Sequence, residues 1–107
     1  MKKAKKISIV VSVYNEEAVL GKFLKAFDKM KATITWDYEV IFVNDGSCDN
    51  SLEILQNAAQ KEPYIKIISF SRNFGHEAAM IAGIDYAVGD GVISVSYTHL
   101  RAHETEL

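Results

Sequence analysis

The sequence lacks the marks of several large protein classes. It contains one cysteine, Cys48, so an internal disulfide framework is excluded and a reducing, cytoplasmic setting is expected. One proline and six glycines in 107 residues argue against a disordered or fibrous chain. No apolar run reaches the roughly 20 residues that span a bilayer, and no signal peptide precedes the first apolar run. We therefore expect any membrane attachment to come from outside this sequence.

Charge of one sign is not in large excess either. The formal net charge is -2, which gives no electrostatic footprint for nucleic acid. The basic cluster of Lys2, Lys3, Lys5 and Lys6 is interpreted as a solubilising start or as a weak contact with an anionic membrane surface. Hydrophobic residues make up 49% and charged residues 24% of the chain, which is the balance of a globular domain. The length predicts one domain or part of one.

Short apolar runs alternate with helical patterns along the chain. Residues 7–13 are rich in β-branched side chains and bounded by polar ones, which is typical of a strand buried on both faces of a parallel sheet. Asp49 or Ser51 is expected to cap the second helix, and Pro63 to end it. Strands that alternate with helices across short connections predict a doubly wound parallel sheet. The predicted strands cover 7–13, 38–43, 65–70 and 92 onward, and the predicted helices cover 16–30, 52–62 and 75–88.

Polar residues follow each of the first three predicted strands. Because ligands bind outside the carboxyl ends of the strands in an open parallel sheet, these residues form the candidate site. The sequence has no G-x-G-x-x-G after the first strand and no G-x-x-x-x-G-K-[ST], which argues against a dinucleotide oxidoreductase and a P-loop NTPase. The residues that would face this edge are Tyr14, Asn15, Glu16, Asn44, Asp45, Gly46, Ser47, Arg72, Asn73, Phe74, Gly75 and His76.

Three of these side chains suit a nucleotide. Tyr14 can stack on a base, Asp45 can accept a hydrogen bond from a base N–H or a ribose hydroxyl, and Arg72 can contact a phosphate. Each also has a purely structural explanation. Tyr14 could be a half-buried ring at a strand end, residues 45–47 a turn with a helix cap, Arg72 a surface ion pair and Glu16 a first-turn acid. Their agreement on one edge favours the functional interpretation.

Other reactive side chains are not expected to have a role. His99 and His103 have the spacing of two metal ligands on a helix, with Glu104 adjacent, but a metal site there is not expected. His76 is interpreted as a loop residue near the ligand. Cys48 has no neighbouring base in the sequence that would mark it as a nucleophile.

Three motifs in order resemble family 2 glycosyltransferases. They are VVSVYNEE at residues 10–17, VNDGSCDNS at 43–51 and SRNFGHEAA at 71–79, followed by AGIDYAVGD at 82–90. The third block looks most like the branch that transfers a sugar from a nucleotide to a polyprenyl phosphate, which includes dolichol-phosphate mannose synthases and bactoprenol glucosyltransferases. The resemblance implies a Rossmann-like GT-A fold. Residues 1–95 would be its nucleotide-sugar-binding half, truncated after about the fourth strand.

The resemblance also implies roles for individual residues. Tyr14 and Glu16 would border the nucleotide, Asp45 would bind the base or the ribose, and the loop of residues 72–75 would lie near the diphosphate or the sugar. The implied partners are a UDP- or GDP-hexose and a lipid-phosphate or glycan acceptor, without nucleic acid. The implied nucleotide-sugar-binding residues are Tyr14, Asn15, Glu16, Asp45, Gly46, Ser47, Arg72, Asn73 and Gly75.

The family pattern is interrupted after Asp90. The family presents an Asp-x-Asp motif there to hold Mg²⁺ or Mn²⁺ against the diphosphate, and no aspartate follows Asp90 in this sequence. Residues 96–107 look like translated adapter sequence joined to a truncated gene, so we expect them to be a non-native tail. Inverting transfer needs the charge on the leaving diphosphate neutralised. We therefore expect the full-length enzyme to use Mg²⁺ or Mn²⁺, and this chain to bind no metal and to have little or no transferase activity.

Two classes of function remain open. In the first, the parent protein is an inverting enzyme at the cytoplasmic face of the membrane that transfers a hexose from a nucleotide sugar, with a polyprenyl phosphate as the expected acceptor. A polysaccharide-synthesising family 2 transferase is a variant of this class. In the second, the chain is a non-catalytic nucleotide-binding or interaction module. Three motifs on one sheet edge favour the enzyme.

Overall fold

The computed structural model describes residues 5–96, which form a parallel sheet flanked by helices. The strands are β1 (Lys6–Val13), β2 (Asp37–Asn44), β3 (Ile65–Ser69) and β4 (Gly91–Ser96), and the helices are α1 (Glu17–Met30), α2 (Ser51–Lys61) and α3 (His76–Tyr86). A short 3₁₀ turn, Lys31–Thr33, follows α1. The strand order is β3-β2-β1-β4, and every ladder is parallel. The predicted α/β fold with a parallel sheet is confirmed.

Both faces of the sheet are covered, as the apolar runs of β1 and β2 require. The smaller core lies under α3, where Gly83 allows close packing because a Cβ there would lie 2.3 Å from Val10 Cγ1. Its buried members are Val10, Ile41, Val43 and Ala79. The larger core lies between the opposite face and the pair α1 and α2. Its buried members are Ile9, Val11, Val13, Leu20, Phe27, Val40, Phe42, Leu55 and Ile65.

The order of the strands creates a switch point beside β1. The chain runs from β1 outward to β2 and β3, and α3 then returns it to β4 on the other side of β1. The connections that leave β1 and β3 therefore lie on opposite faces of the sheet, which opens a crevice at the carboxyl ends of the strands. This is the edge at which the predicted site residues were expected.

The last helix ends two residues earlier than the sequence predicts. α3 stops at Tyr86, and Ala87 is extended, with φ -64° and ψ 139°. The following residues are held by the sheet, because the Val88 N–H donates to Glu39 Oε2 at 2.9 Å and the Gly89 N–H donates to Ser8 Oγ at 2.9 Å. These tertiary hydrogen bonds therefore begin directly after the end of the helix.

The cap of the second helix also differs from the prediction. The N-cap of α2 is Asn50, not Asp49 or Ser51. Asp49 Oδ1 accepts the Ser51 N–H at 2.9 Å from one position before the cap. Ser51 is buried, and its Oγ accepts the N–H of Glu16 at 3.0 Å. Asp49 and Ser51, which were expected to cap α2, therefore accept hydrogen bonds from backbone N–H groups at the start of α1.

Within residues 5–96, none of the helices combines the length and the apolar character that crossing a membrane requires. Lys2, Lys3, His99 and His103 lie outside the described residues, as do 97–107 of the expected tail. Ser96, the first residue of that segment, ends β4.

Candidate functional site

The loops that follow β1 and β2 brace each other at the carboxyl edge. Asn15 Oδ1 accepts the Cys48 N–H at 2.7 Å, and Ser47 Oγ accepts the Asn15 N–H at 3.0 Å. Asn15 has φ 51°, in the left-handed region that asparagine tolerates better than most residues. Asn44, the last residue of β2, accepts the Ser47 N–H through its Oδ1 at 3.2 Å. Asn15 and Ser47, two predicted ligand residues, are thus engaged in joining two loops.

The starts of α1 and α2 are capped across these same loops. Asp49 Oδ2 accepts the Glu17 N–H at 3.2 Å, and Glu17 Oε1 accepts the Asn50 N–H at 3.1 Å. Such reciprocal bonds satisfy amides that have no partner within a helix. Burial alone would raise the pKa of Asp49, but hydrogen bonds from Ser51 and from backbone amides outweigh it and lower the pKa. These hydrogen bonds join the starts of α1 and α2 close to Tyr14 in the sequence.

Asp45 lies at the centre of the edge and is only 2% exposed. Its Oδ1 accepts the Phe74 N–H at 2.8 Å and the Gly75 N–H at 3.3 Å. Its Oδ2 accepts the Gly75 N–H at 3.0 Å and Asn73 Nδ2 at 3.0 Å. The carboxylate therefore holds the loop between β3 and α3. A direct contact of Asp45 with a base or a ribose stays a prediction.

Gly46 lets the same loop pack against the end of β2. A Cβ at Gly46 would lie 2.2 Å from the carbonyl carbon of Arg72 and 2.3 Å from the Asn73 nitrogen. Gly46 also has φ 73°, which side-chain-bearing residues rarely adopt. Glycine is required here both by the close approach of the backbone and by the positive φ. The sequence predicts the turn but not the close approach.

Arg72 is exposed and stacked on a neighbouring ring. Its guanidinium carbon lies 4.2 Å from the ring centroid of Phe74, and Phe74 in turn meets Phe70 edge to face, with centroids 5.4 Å apart. A guanidinium that rests on a ring keeps its in-plane N–H groups available for an anion. A contact between Arg72 and a phosphate stays a prediction.

Tyr14 stands at the carboxyl end of β1 with 43% of its surface exposed. It precedes Asn15, so the brace between the two loops fixes the backbone on which it stands. Glu16, the N-cap residue of α1, accepts the N–H groups of Val19 and Leu20 through its carbonyl at 3.0 and 2.9 Å. An exposed ring on a rigid loop is suited to stacking on a flat ligand.

The predicted site residues thus divide into two groups. Tyr14 and Arg72 present exposed side chains at the edge. The others join loops: Asn15 with Ser47, Glu16 through its N–H with Ser51, and Asp45 and Gly46 with Asn73 and Gly75. Sequence reasoning missed the supporting roles of Asn44, Asp49 and Ser51, although a run of short polar residues directly after a buried strand signals such loop bonding.

A second buried carboxylate lies nearer the amino ends of the strands. Glu39 of β2 is 1% exposed, accepts Ser8 Oγ at 2.6 Å and forms an ion pair with Lys66 Nζ at 2.8 Å. Burial raises the pKa of Glu39, but the bonds from Lys66, Ser8 and the Val88 amide outweigh it and hold the pKa at about 2. This cluster fixes the start of β4 and does not belong to the candidate site.

Among residues 5–96, no group of three or more His, Cys, Asp or Glu side chains could hold a metal ion. The full sequence also contains no Asp-x-Asp. The carboxylate at the centre of the edge, Asp45, is occupied by amide donors.

Comparison with known proteins identifies the family of this chain. The family model described as glycosyl transferase family 2 matches residues 8–96, which include the three loops described above. An uncharacterized glycosyltransferase of Bacillus subtilis, YkcC, is 47% identical over 88 residues, covering 82% of this chain and 27% of that protein. A prophage bactoprenol glucosyl transferase homolog of Escherichia coli is 40% identical over 90 residues, covering 84% of this chain and 29% of that protein. The chain spans less than a third of the length of these relatives.

Solved structures give the same fold. A mannosyltransferase from Pyrobaculum calidifontis in complex with GDP-Man and Mn²⁺ superposes with a TM-score of 0.75 at 17% identity, over 88% of this chain and 28% of that one. S. aureus TarS 1-349 in complex with UDP superposes with a TM-score of 0.71 at 25% identity, over 85% of this chain and 27% of that one. Together with the parallel sheet, these matches confirm the expected GT-A fold.

Proposed function

The chain belongs to glycosyl transferase family 2, and from this premise we propose that it is the nucleotide-sugar-binding part of an inverting enzyme that transfers a hexose to a polyprenyl phosphate. The donor would be a UDP- or GDP-hexose. The full-length enzyme would act at the cytoplasmic face of the membrane, attached through segments outside this sequence. A glycan acceptor is the alternative within the same family.

The observation that carries the proposal is the similarity to proteins described as bactoprenol glucosyl transferases. The relative from Shigella phage SfV is 41% identical over 90 residues, which cover 84% of this chain. Bactoprenol is a polyprenyl lipid, so these names favour a lipid-phosphate acceptor over a glycan. The UDP in the complex of S. aureus TarS supports a nucleotide donor.

The geometry of the carboxyl edge assigns distinct tasks to the proposed ligand residues. The exposed ring of Tyr14 would stack on the base, with Glu16 bordering the nucleotide from the N-cap position of α1. Arg72, on the face of Phe74, would meet the diphosphate. Asn15, Ser47 and residues 73–75 would shape the walls, because their hydrogen bonds fix the loops.

The residues of this chain do not fit the Mg²⁺ or Mn²⁺ ion that the family resemblance implies. The sequence lacks Asp-x-Asp, and the part of the chain that the structure describes contains no cluster of three metal-binding side chains. If the full-length enzyme uses a metal, its ligands lie outside this sequence. For this reason we propose that the chain binds a nucleotide but transfers little or no sugar.

Calorimetric titration of the chain with UDP, UDP-glucose and GDP-mannose, with and without Mn²⁺, tests the proposal. We expect saturable binding that Mn²⁺ does not strengthen. Tyr14→Ala should weaken it about tenfold through lost stacking. Tyr86→Ala is the matched control, because Tyr86 is also about half exposed but lies at the far end of α3.

Two outcomes would contradict the proposal. The first is a folded chain that binds none of UDP, UDP-glucose and GDP-mannose. Transfer of labelled glucose or mannose to undecaprenyl phosphate by the chain would show that the metal-binding segment is not needed. Binding without transfer also fits a non-catalytic nucleotide module, and transfer by the full-length gene product distinguishes the enzyme from that module.

A further inference from the structure

We propose that Phe74 is a positioning residue whose ring holds the guanidinium of Arg72 at the carboxyl edge, and that Phe70 holds this ring in turn. The role rests on the proposed function, in which Arg72 meets the diphosphate of the nucleotide. Phe74 acts through Arg72 and makes no contact of its own with the nucleotide.

An aromatic ring, not a carboxylate, orients Arg72. The guanidinium carbon lies 4.2 Å from the ring centroid of Phe74, which is a cation–π distance. Within residues 5–96 the salt bridges involve Lys31 and Lys66, and Arg72 takes part in none of them. A long side chain loses rotamer freedom when it binds a ligand. An arginine that already rests on a ring has lost part of this freedom beforehand, and its in-plane N–H groups stay available.

The ring of Phe74 is held from two sides. Its centroid lies 5.4 Å from that of Phe70 with an interplanar angle of 87°, so the two rings meet edge to face. Phe70 packs against the smaller core, and its N–H donates to the carbonyl of Asn44 at 2.9 Å. The Phe74 N–H donates to Asp45 Oδ1 at 2.8 Å. Contacts therefore run from the core through Phe70 and Phe74 to the exposed cation.

The rival role for Phe74 is a direct contact with the nucleotide. The residue is 51% exposed at the edge where ligands of an open parallel sheet bind, so its ring could itself stack on a base. Two neighbours already occupy the ring, because the cation of Arg72 lies over it and Phe70 contacts it edge to face. A base would have to displace the guanidinium before it could stack on the same face. Positioning requires no such displacement.

Substitutions at both residues separate positioning from contact, with UDP as the probe in calorimetric titrations. Phe74→Leu removes the ring and should weaken UDP binding about fivefold, which is the size of an exposed cation–π contact. Phe74→Tyr keeps the ring and should bind UDP as the wild type does. Arg72→Gln should weaken binding about tenfold, and adding Phe74→Leu to it should weaken binding no further.

The chain offers a matched control for each substitution. Tyr86 is also 51% exposed but lies at the far end of α3, so Tyr86→Leu measures the loss of an exposed ring elsewhere. Lys25 is exposed on α1, so Lys25→Gln measures the loss of one positive charge outside the loop that bears Arg72. Both control variants should bind UDP as the wild type does.

The order of the Arg72 side chain without any nucleotide is a readout that a direct contact would not change. The NMR order parameter of the Arg72 Nε–H bond should fall in Phe74→Leu to below about 0.6, and Phe74→Tyr should keep it at the wild-type value. Phe70→Leu removes the support of the ring and should lower the order parameter by less. Phe74 is half exposed, so its substitution leaves the buried core intact.

The outcomes distinguish this role from the proposed function. If the wild type binds no nucleotide, the proposed function fails, and the positioning role fails with it. If the wild type binds UDP and Phe74→Leu binds it equally well, the positioning role alone is overturned. Additive effects of Phe74→Leu and Arg72→Gln, or weakened binding with an unchanged order parameter of Arg72, would show a direct contact and also overturn it. Phe74→Tyr that binds as weakly as Phe74→Leu would contradict the role of the ring.

Discussion

Two buried carboxylates hold two ends of this sheet in different ways. Glu39 bonds to Ser8 on the neighbouring strand and to the cation of Lys66, so it joins parts of the framework. Asp45 accepts hydrogen bonds from three uncharged amide donors of a single loop, and its two oxygens share the N–H of Gly75. The first clamp supports strands, and the second supports exposed loops whose side chains are available for a ligand.

We expect this difference to separate the effects of substitutions on stability from their effects on ligand binding. Loss of the Glu39 cluster should lower the free energy of unfolding and leave any nucleotide affinity of the folded protein nearly unchanged. Loss of the Asp45 clamp should act mainly on the loops.

The largest effect on stability is expected for Glu39→Ala. The change leaves Lys66, Ser8 and the Val88 amide without their acceptor, and the ammonium of Lys66 is only partly exposed. We expect a loss of about 3 kcal/mol in the free energy of unfolding, measured by urea denaturation. Glu53→Ala, on the exposed side of α2, is the control and should change it by no more than about 0.5 kcal/mol.

Acidification should weaken the same cluster. The pKa of Glu39 is about 2 in the folded protein, below its ordinary value of 4.5. A carboxyl with a lowered folded pKa contributes stability above pH 4.5, and this contribution declines as pH falls from about 4.5 to about 2. Asp49 acts in the same direction. Between pH 4.5 and pH 2, the free energy of unfolding should fall less in Glu39→Gln than in the wild type, by up to about 3 kcal/mol. An identical pH dependence would contradict the role of Glu39.

Gly46→Ala should disrupt the loop clamp. The added Cβ would meet the backbone of Arg72 and Asn73 at 2.2 and 2.3 Å and would stand on a residue with φ 73°. We expect a loss of about 2 kcal/mol in stability and weaker nucleotide binding, read by calorimetry. Gly21→Ala is the matched control, because nothing lies within 4 Å of its Cβ and α1 should gain about 0.5 to 1 kcal/mol.

The smallest change is expected at Asn15. Asn15→Gly keeps the left-handed backbone but loses the bond to the Cys48 amide, which should cost about 1 kcal/mol. Asn15→Ala loses the same bond and adds backbone strain, so it should be less stable than Asn15→Gly. Equal stability of the two variants would mean that the turn does not depend on the positive φ.

The sequence predicts the sheet better than the contacts at its edges. Apolar runs and turn residues locate β1, β2 and the loop at residues 45–47, and the three motifs identify the family. Glu39 cannot be recognised, because a single acid in a strand is usually solvated, and Lys66 reaches it from 27 positions away. The clamp of Asp45 likewise depends on amides of residues 74 and 75 that only the fold brings near.

The end of α3 shows the same limit. Ala87 and Val88 are compatible with a helix, so the pattern predicts one up to residue 88. The helix ends at Tyr86, and the Val88 N–H instead donates to Glu39, which the local sequence does not reveal. Local sequence preferences predict the helices and strands, whereas long-range hydrogen bonds determine where the helices end and how the loops of the candidate site are held.

The most direct test of the central claim is an NMR titration of the chain with UDP and GDP-mannose. A nucleotide site at the carboxyl edge predicts saturable shifts of the amide signals of residues 14–16, 45–47 and 72–75, with those of Ser8, Glu39 and Lys66 unchanged. Saturable shifts confined to the Glu39 cluster or to the outer faces of α1 and α2 would contradict it.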